Sequence, residues 1–150
     1  MSALKEALLA HCLGSVQHRI NTTQEAIRLL QISANEETKS SAGDKYETGR
    51  AMAQLEIEKL GAQLADARAQ LAVLKTISPN QSSSKVQLGS FAVTSHGNFY
   101  LAVSIGQVET AGEKCTVISA RSPIGQKLTG LTVGQSFVLN GKNFELLQVL

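Results

Sequence analysis

IEKLGAQLADARAQLAVL, residues 57–74, places apolar side chains at Ile57, Leu60, Leu64, Ala67, Leu71 and Leu74. Steps of three and four in strict alternation are the seam of a coiled coil. Upstream the same stripe continues through Ala53, Arg50 and Tyr46. An earlier segment repeats the pattern at Leu4, Leu8, Cys12, Val16, Ile20, Thr23, Ile27, Leu30 and Ala34. Between the two lies Asn35-Glu36-Glu37-Thr38-Lys39-Ser40-Ser41-Ala42-Gly43, which has no stripe and several turn formers. Asp44 with Glu47 three residues on has the spacing of a capping box that starts the second helix. The pattern predicts helices over 2–35 and 44–76, folded back as an antiparallel coiled-coil hairpin with its tip at 35–47. About 30 residues at 1.5 Å each make a rod of roughly 45–50 Å. Two helices have little core, so the seam must supply most of the stability.

Downstream of the seam the composition changes. Residues 1–77 hold 9 basic and 9 acidic side chains, one aromatic and no proline; residues 78–150 hold 5 basic, 3 acidic, 5 aromatics, both prolines and 8 of the 12 glycines. Ala, Leu, Gln, Glu and Lys favour helix in the first part. Val, Thr, Phe and Gly favour strands and turns in the second. Ser78-Pro79-Asn80-Gln81-Ser82-Ser83-Ser84 reads as a linker over 78–84. Strands are predicted at 86–94, 99–105 and 115–120. Residues 137–139 and 143–149 form a hairpin around Asn140-Gly141, the preferred pair for a type I′ turn. Ser122-Pro123-Ile124-Gly125-Gln126-Lys127-Leu128-Thr129-Gly130 is different: a Ser N-cap, Pro in the first turn and a closing Gly make a short helix. The expected class is α+β, with a helical hairpin at 1–77 and an antiparallel β domain with one short helix at 85–150.

Several functions are disfavoured. A net charge of +2 rules out a histone-like polycation. Aromatics at 4% with no Trp are thin for a base-stacking surface. Cys12 and Cys115 are isolated, with no zinc-ligand spacing and too few thiols for a disulfide scaffold. Leu8-Leu9-Ala10-His11-Cys12 faintly resembles a lipoprotein cleavage box. Glu6, His11 and the shortness of the apolar run count against it. No apolar run approaches the ~20 residues that span a bilayer, so a cytoplasmic protein with no membrane partner is expected.

Single residues mostly have plain roles. His11 and His18 lie two turns apart without the further ligands a metal needs. Cys115 reads as a small core residue. Ser122 has no general base near it in sequence, so capping outweighs a nucleophilic role. Asp44 and Glu47 favour a helix N-terminus by charge alone.

In order, length and spacing, the whole chain resembles the Gre transcript-cleavage factors of bacterial RNA polymerase. The resemblance rests on Ser122-Pro123-Ile124-Gly125 followed by Leu128, Gly130 and Gly134, on the strand opening after the linker, and on Tyr46 near the start of the second helix. It implies an FKBP-like fold for the C-terminal domain, which docks at the rim of the polymerase secondary channel with Ser122, Pro123, Ile124 and Gly125 as docking candidates. It implies that the hairpin enters the channel, where two acidic residues at its tip share the second catalytic Mg²⁺. The polymerase then cuts backtracked RNA. Carboxylates suit that task because Mg²⁺ prefers oxygen ligands. The protein itself would be no enzyme, with no cofactor or stably bound metal of its own. Its partners would be RNA polymerase and, through it, the RNA 3′ end, and it would be a monomer when free.

The tip departs from the family pattern. Setting Tyr46 on the family's Tyr puts Lys39 and Ala42 on the two acidic positions. The carboxylates present are Glu36, Glu37, Asp44 and Glu47, which surround the turn in a different spacing. Channel entry follows more directly than cleavage stimulation. The alternatives are a regulator that occupies the channel without stimulating cleavage, a coiled-coil interaction protein that dimerises through its seam, and a prolyl isomerase. The last is disfavoured by the scarcity of aromatics.

Overall fold

The computed structural model describes residues 2–38 and 44–150, without the side chains of Ser2, Glu37, Thr38 and residues 44–47. Two long helices come first, α1 (Ser2–Thr38) and α2 (Asp44–Lys75). Six strands and one short helix follow: β1 (Phe91–Thr94), β2 (Gly97–Ala102), β3 (Gly106–Thr110), β4 (Glu113–Ser119), α3 (Pro123–Leu128), β5 (Ser136–Leu139) and β6 (Lys142–Val149). The expected α+β class, a helical hairpin followed by a sheet with one short helix, is what the structure has. The chain divides into two compact units: Gly14–Leu71, and Met1–Leu13 together with Ala72–Leu150.

In Gly14–Leu71 the predicted stripe is the buried one. Val16, Ile20, Thr23 and Ala67 are buried. Ile27, Leu30, Ala34, Ala53, Ile57, Leu60, Leu64 and Leu71 are half-buried, while Arg50 is exposed; Tyr46, also on the predicted stripe, has its side chain outside the described residues. Arg19 donates to the Gln70 amide oxygen at 2.8 Å and to the Gln63 carbonyl at 3.4 Å. Residue 19 lies beside residues 63 and 70, and only five residues join the helices, so α1 and α2 run antiparallel. Leu29, Ile32, Met52 and Leu55 remain exposed. A two-helix pair can cover only one face of each member.

In the second unit the strand order is β3-β4-β2-β1-β6-β5. All pairings are antiparallel except β2 with β4, which is parallel with Tyr100 opposite Val117. The sheet is therefore mixed and not purely antiparallel. The chain steps from β2 past the next position to edge strand β3 and turns back as β4, which forces β4 to run with β2. The predicted 86–94 strand is shorter than expected, because residues 87–90 turn: Ser90 N donates to the Gln87 carbonyl at 2.9 Å, and Gly89 takes φ +89°. Strand β3, unpredicted, reaches β4 through Ala111-Gly112, both at positive φ.

Strand alternation gives the sheet two buried faces. One carries Val86, Ala92, Phe99, Leu101, Ile118, Leu128, Phe144 and Leu146 as a single cluster, with Ile124 of α3 packed on it. The other carries Phe91, Tyr100, Cys115 and Val117, also buried. Leu8, Leu9 and Cys12 of α1, Leu74 of α2, and Ile77 just beyond α2 are also buried in this unit. The start of α1 thus has a second buried line, Lys5 and Leu9, beside the predicted one. Lys5 is only 4% exposed and donates to the Gln81 carbonyl at 2.7 Å, which anchors the 78–84 segment.

Candidate functional site

Residues 119–130 are the best-defined part of the expected site. Ser122 has extended φ/ψ of −63° and 156° and precedes Pro123 at the head of α3. Its hydroxyl donates to the Ser119 carbonyl at 2.7 Å and accepts from the Gly125 N–H at 3.0 Å. The second bond satisfies an N–H that a helix start would otherwise leave open, and the first ties the cap to the end of β4. At the other end Thr129 donates from its N–H and its hydroxyl to the Gly125 carbonyl, at 3.0 and 2.7 Å. The chain then pairs with the domain's opening segment: Gly130 N donates to the Val86 carbonyl at 2.8 Å, and Val86 N to that of Leu131 at 2.9 Å.

The four docking candidates do not share one role. Gly125 is buried, and a Cβ there would overlap the Ser119 carbonyl oxygen. Ser122 is half-buried and used up in capping, and Ile124 packs on the core cluster. Pro123 alone is exposed, together with Arg121, Gln126 and Lys127. A partner would meet these last residues first. Sequence reasoning passed over Arg121 and Lys127 because single exposed cations carry no pattern.

At the hairpin tip, Glu36 lies in the last turns of α1 and is exposed. The backbone of Glu37 belongs to α1, and Asp44 and Glu47 belong to the first turn of α2. Their side chains lie outside the described residues, as do residues 39–43, so the capping box and the acidic tip fall there too. Among the described residues no three His, Cys, Asp or Glu side chains converge as a metal-binding group.

A third cluster is interior. Cys12, Cys115 and Tyr100 are all buried; Cys12 lies within reach of the charge on Cys115, and Tyr100 within reach of both thiols. Burial, then the nearby Cys115, pushes the Cys12 thiol up to about 11. Burial and the two thiols push the Tyr100 phenol up. Burial, then Glu113, pushes Cys115 up. Thiols held protonated in this way are structural and unreactive. Among the described residues nothing hydrogen-bonds the Tyr100 hydroxyl. His11 and His18 are exposed, and His96 stands edge-on to Phe144 at 5.1 Å.

No family model matches the chain, and no curated protein does. Among solved structures it is similar to the structure of the transcription factor Gfh1, at 18% identity over 94% of this chain and 92% of that one, with a TM-score of 0.34. Among the described residues, no helix is long and apolar enough to cross a membrane.

Proposed function

We propose that this protein is a transcription regulator of the Gre type, which docks on RNA polymerase through its C-terminal domain and places residues 35–47 in the secondary channel. The supporting observation is the 122–130 segment. The stretch that carries the sequence resemblance forms a capped helix in which Gly125 cannot be replaced without steric overlap, and it presents Pro123, Arg121 and Lys127 outward. The two helices of 37 and 32 residues supply the reach the role needs. The shifted carboxylates favour occupancy of the channel over strong stimulation of RNA cleavage. On this reading the chain has no catalytic residues or cofactor of its own, and any Mg²⁺ belongs to the polymerase.

Pull-down of core RNA polymerase by the full chain, followed by competition with an authentic cleavage factor and a cleavage assay on stalled complexes, tests the proposal. Binding with competition and little added cleavage is the expected result. Absence of polymerase binding at low salt would overturn it.

A further inference from the structure

A groove of about 540 Å³ opens on the sheet at the starting ends of β2 and β4. Its position follows from the topology. Helix α3 leaves the C-terminal end of β4 and covers that end of the face, so the opposite end stays open. Phe99 and Thr116, paired in register across β2 and β4, form the floor. His96 stands at one side, and Gln107 and Glu109 of edge strand β3 at the other. Lys114 sits directly opposite Glu109 in the β3–β4 ladder.

Two features make this more than a dent. The first is the charge pair. Directly opposed residues have Cβ atoms about 4.5–5.5 Å apart, and opposite charges there ordinarily attract. Yet neither Glu109 nor Lys114 forms a salt bridge among the described residues, and both are exposed. Each head group is available to something else. The second is the apolar wall. Phe99 and His96 both pack on Phe144, at centroid distances of 6.3 and 5.1 Å, which fixes their orientation.

We propose that this groove binds a small zwitterion bearing an apolar side chain: an apolar amino acid, or a very short peptide with free ends. Lys114 would take the carboxylate and Glu109 the ammonium, each through a charge-assisted hydrogen bond. The side chain would lie on Phe99 and His96, with the Gln107 amide and the Thr116 hydroxyl as further polar partners. The adjacent opposite charges also say what is refused. A bare anion such as phosphate meets Glu109 beside Lys114, and a bare cation meets the reverse. The volume falls within the few-hundred-Å³ range of small-ligand sites. The groove lies at the opposite end of β4 from Ser122 and Pro123, so this inference stands apart from the polymerase-docking reading.

The test is an amide-resonance titration of the full chain with L-phenylalanine, with the dipeptide Ala-Phe, and with N-acetyl-phenylalanine amide, which keeps the ring and removes both charges. Saturable shifts confined to 96–99, 107–109 and 114–116 are expected for phenylalanine, for Ala-Phe or for both, and the stronger binder identifies the source. The blocked compound should leave those resonances unmoved. Glu109→Gln and Lys114→Gln each remove one charge at an exposed position and should weaken binding about tenfold or more, with melting unchanged. Equal binding of the blocked compound, shifts centred elsewhere, or no saturable shift up to about 10 mM would overturn the proposal.

Discussion

The carbonyl oxygen of Ser119, at the end of β4, occupies the space where a side chain on Gly125 would begin. The close approach lets α3 fold directly over the strand it follows. The Ser122 hydroxyl completes the arrangement, lying 2.8 Å from the same would-be Cβ while bonding both Ser119 and Gly125. Gly125→Ala should therefore force helix and strand apart and cost at least ~2 kcal/mol. Ser122→Ala should cost about 1–2 kcal/mol through the lost cap. Thermal melting monitored on the near-ultraviolet signal of the β domain checks both. A Gly125→Ala protein that melts like the wild type would show that the helix does not pack as described.

The two β-hairpin turns with paired positive φ make a natural comparison. Asn140-Gly141 has φ of 52° and 77°, and Ala111-Gly112 has 53° and 76°. Asn tolerates this region and Ala does not, at a cost of about 1–2 kcal/mol for an ordinary residue. Ala111→Asn should raise stability by ~0.5–1 kcal/mol, read as a higher midpoint in urea at unchanged slope.

The same pair shows what could be read in advance. Asn140-Gly141 announces its hairpin, whereas Ala111-Gly112 has half the signal. Strand β3 beside it is short, with Val108 its one buried residue. An edge strand with one anchor leaves almost no alternation to detect. The helical seam was legible because a period of three and four survives over many turns, and each apolar member from Leu4 to Ala34 is buried or half-buried. The second buried line at Lys5 and Leu9 is invisible to the helical period because Lys5 answers to a tertiary partner, the Gln81 carbonyl of the 78–84 segment. The adjacent pair Leu8-Leu9 was its only trace. In the site, the Ser-Pro-Gly punctuation of α3 was readable, but which of its residues face outward depends on β4 beneath it.

Stability should depend on pH in the alkaline range with a definite sign. The native Cys12 thiol titrates at about 11, above its ordinary value near 9, and Cys115 and Tyr100 are also raised. Between those values the folded chain keeps protons that the unfolded chain loses. The stabilisation is complete below pH 9 and lost as pH rises toward 11, at no more than about 1.4 kcal/mol per pH unit for each group. Lys5 acts in the opposite sense, because burial lowers its pKa and its burden lightens as pH rises. Cys12→Ser should flatten the fall measured by urea unfolding from pH 8 to pH 11. Tyr100→Phe removes a buried hydroxyl that has no hydrogen-bond partner among the described residues and should be neutral or stabilising by up to ~1 kcal/mol at pH 7.

The hairpin should respond unevenly to truncation of its seam. Leu74 is 1% exposed, whereas Ile57 and Leu60 are half-buried. Leu74→Ala should cost about 2–5 kcal/mol, and Leu60→Ala markedly less, since a cavity at a half-open site is filled by solvent. Helical ellipticity at 222 nm during thermal unfolding separates the two. Equal losses would mean that the seam is as well packed around Leu60 as around Leu74.

Docking and folding can be separated within the 121–127 segment. Arg121 and Lys127 are exposed and form no salt bridge among the described residues, while Gly125 holds the helix in place. If the outward face of α3 meets polymerase, Arg121→Glu with Lys127→Glu should reduce polymerase capture about tenfold or more at low salt, while melting stays within ~0.5 kcal/mol of the wild type. The wild-type interaction should itself weaken with added salt, because rim charges are screened within about a Debye length. Gly125→Ala should lower both capture and melting, since it disturbs the helix that presents those charges. Retention of full capture by the double charge reversal would place the docking surface elsewhere on the domain. Loss of capture with lowered melting in that variant would assign the two cations a folding role instead.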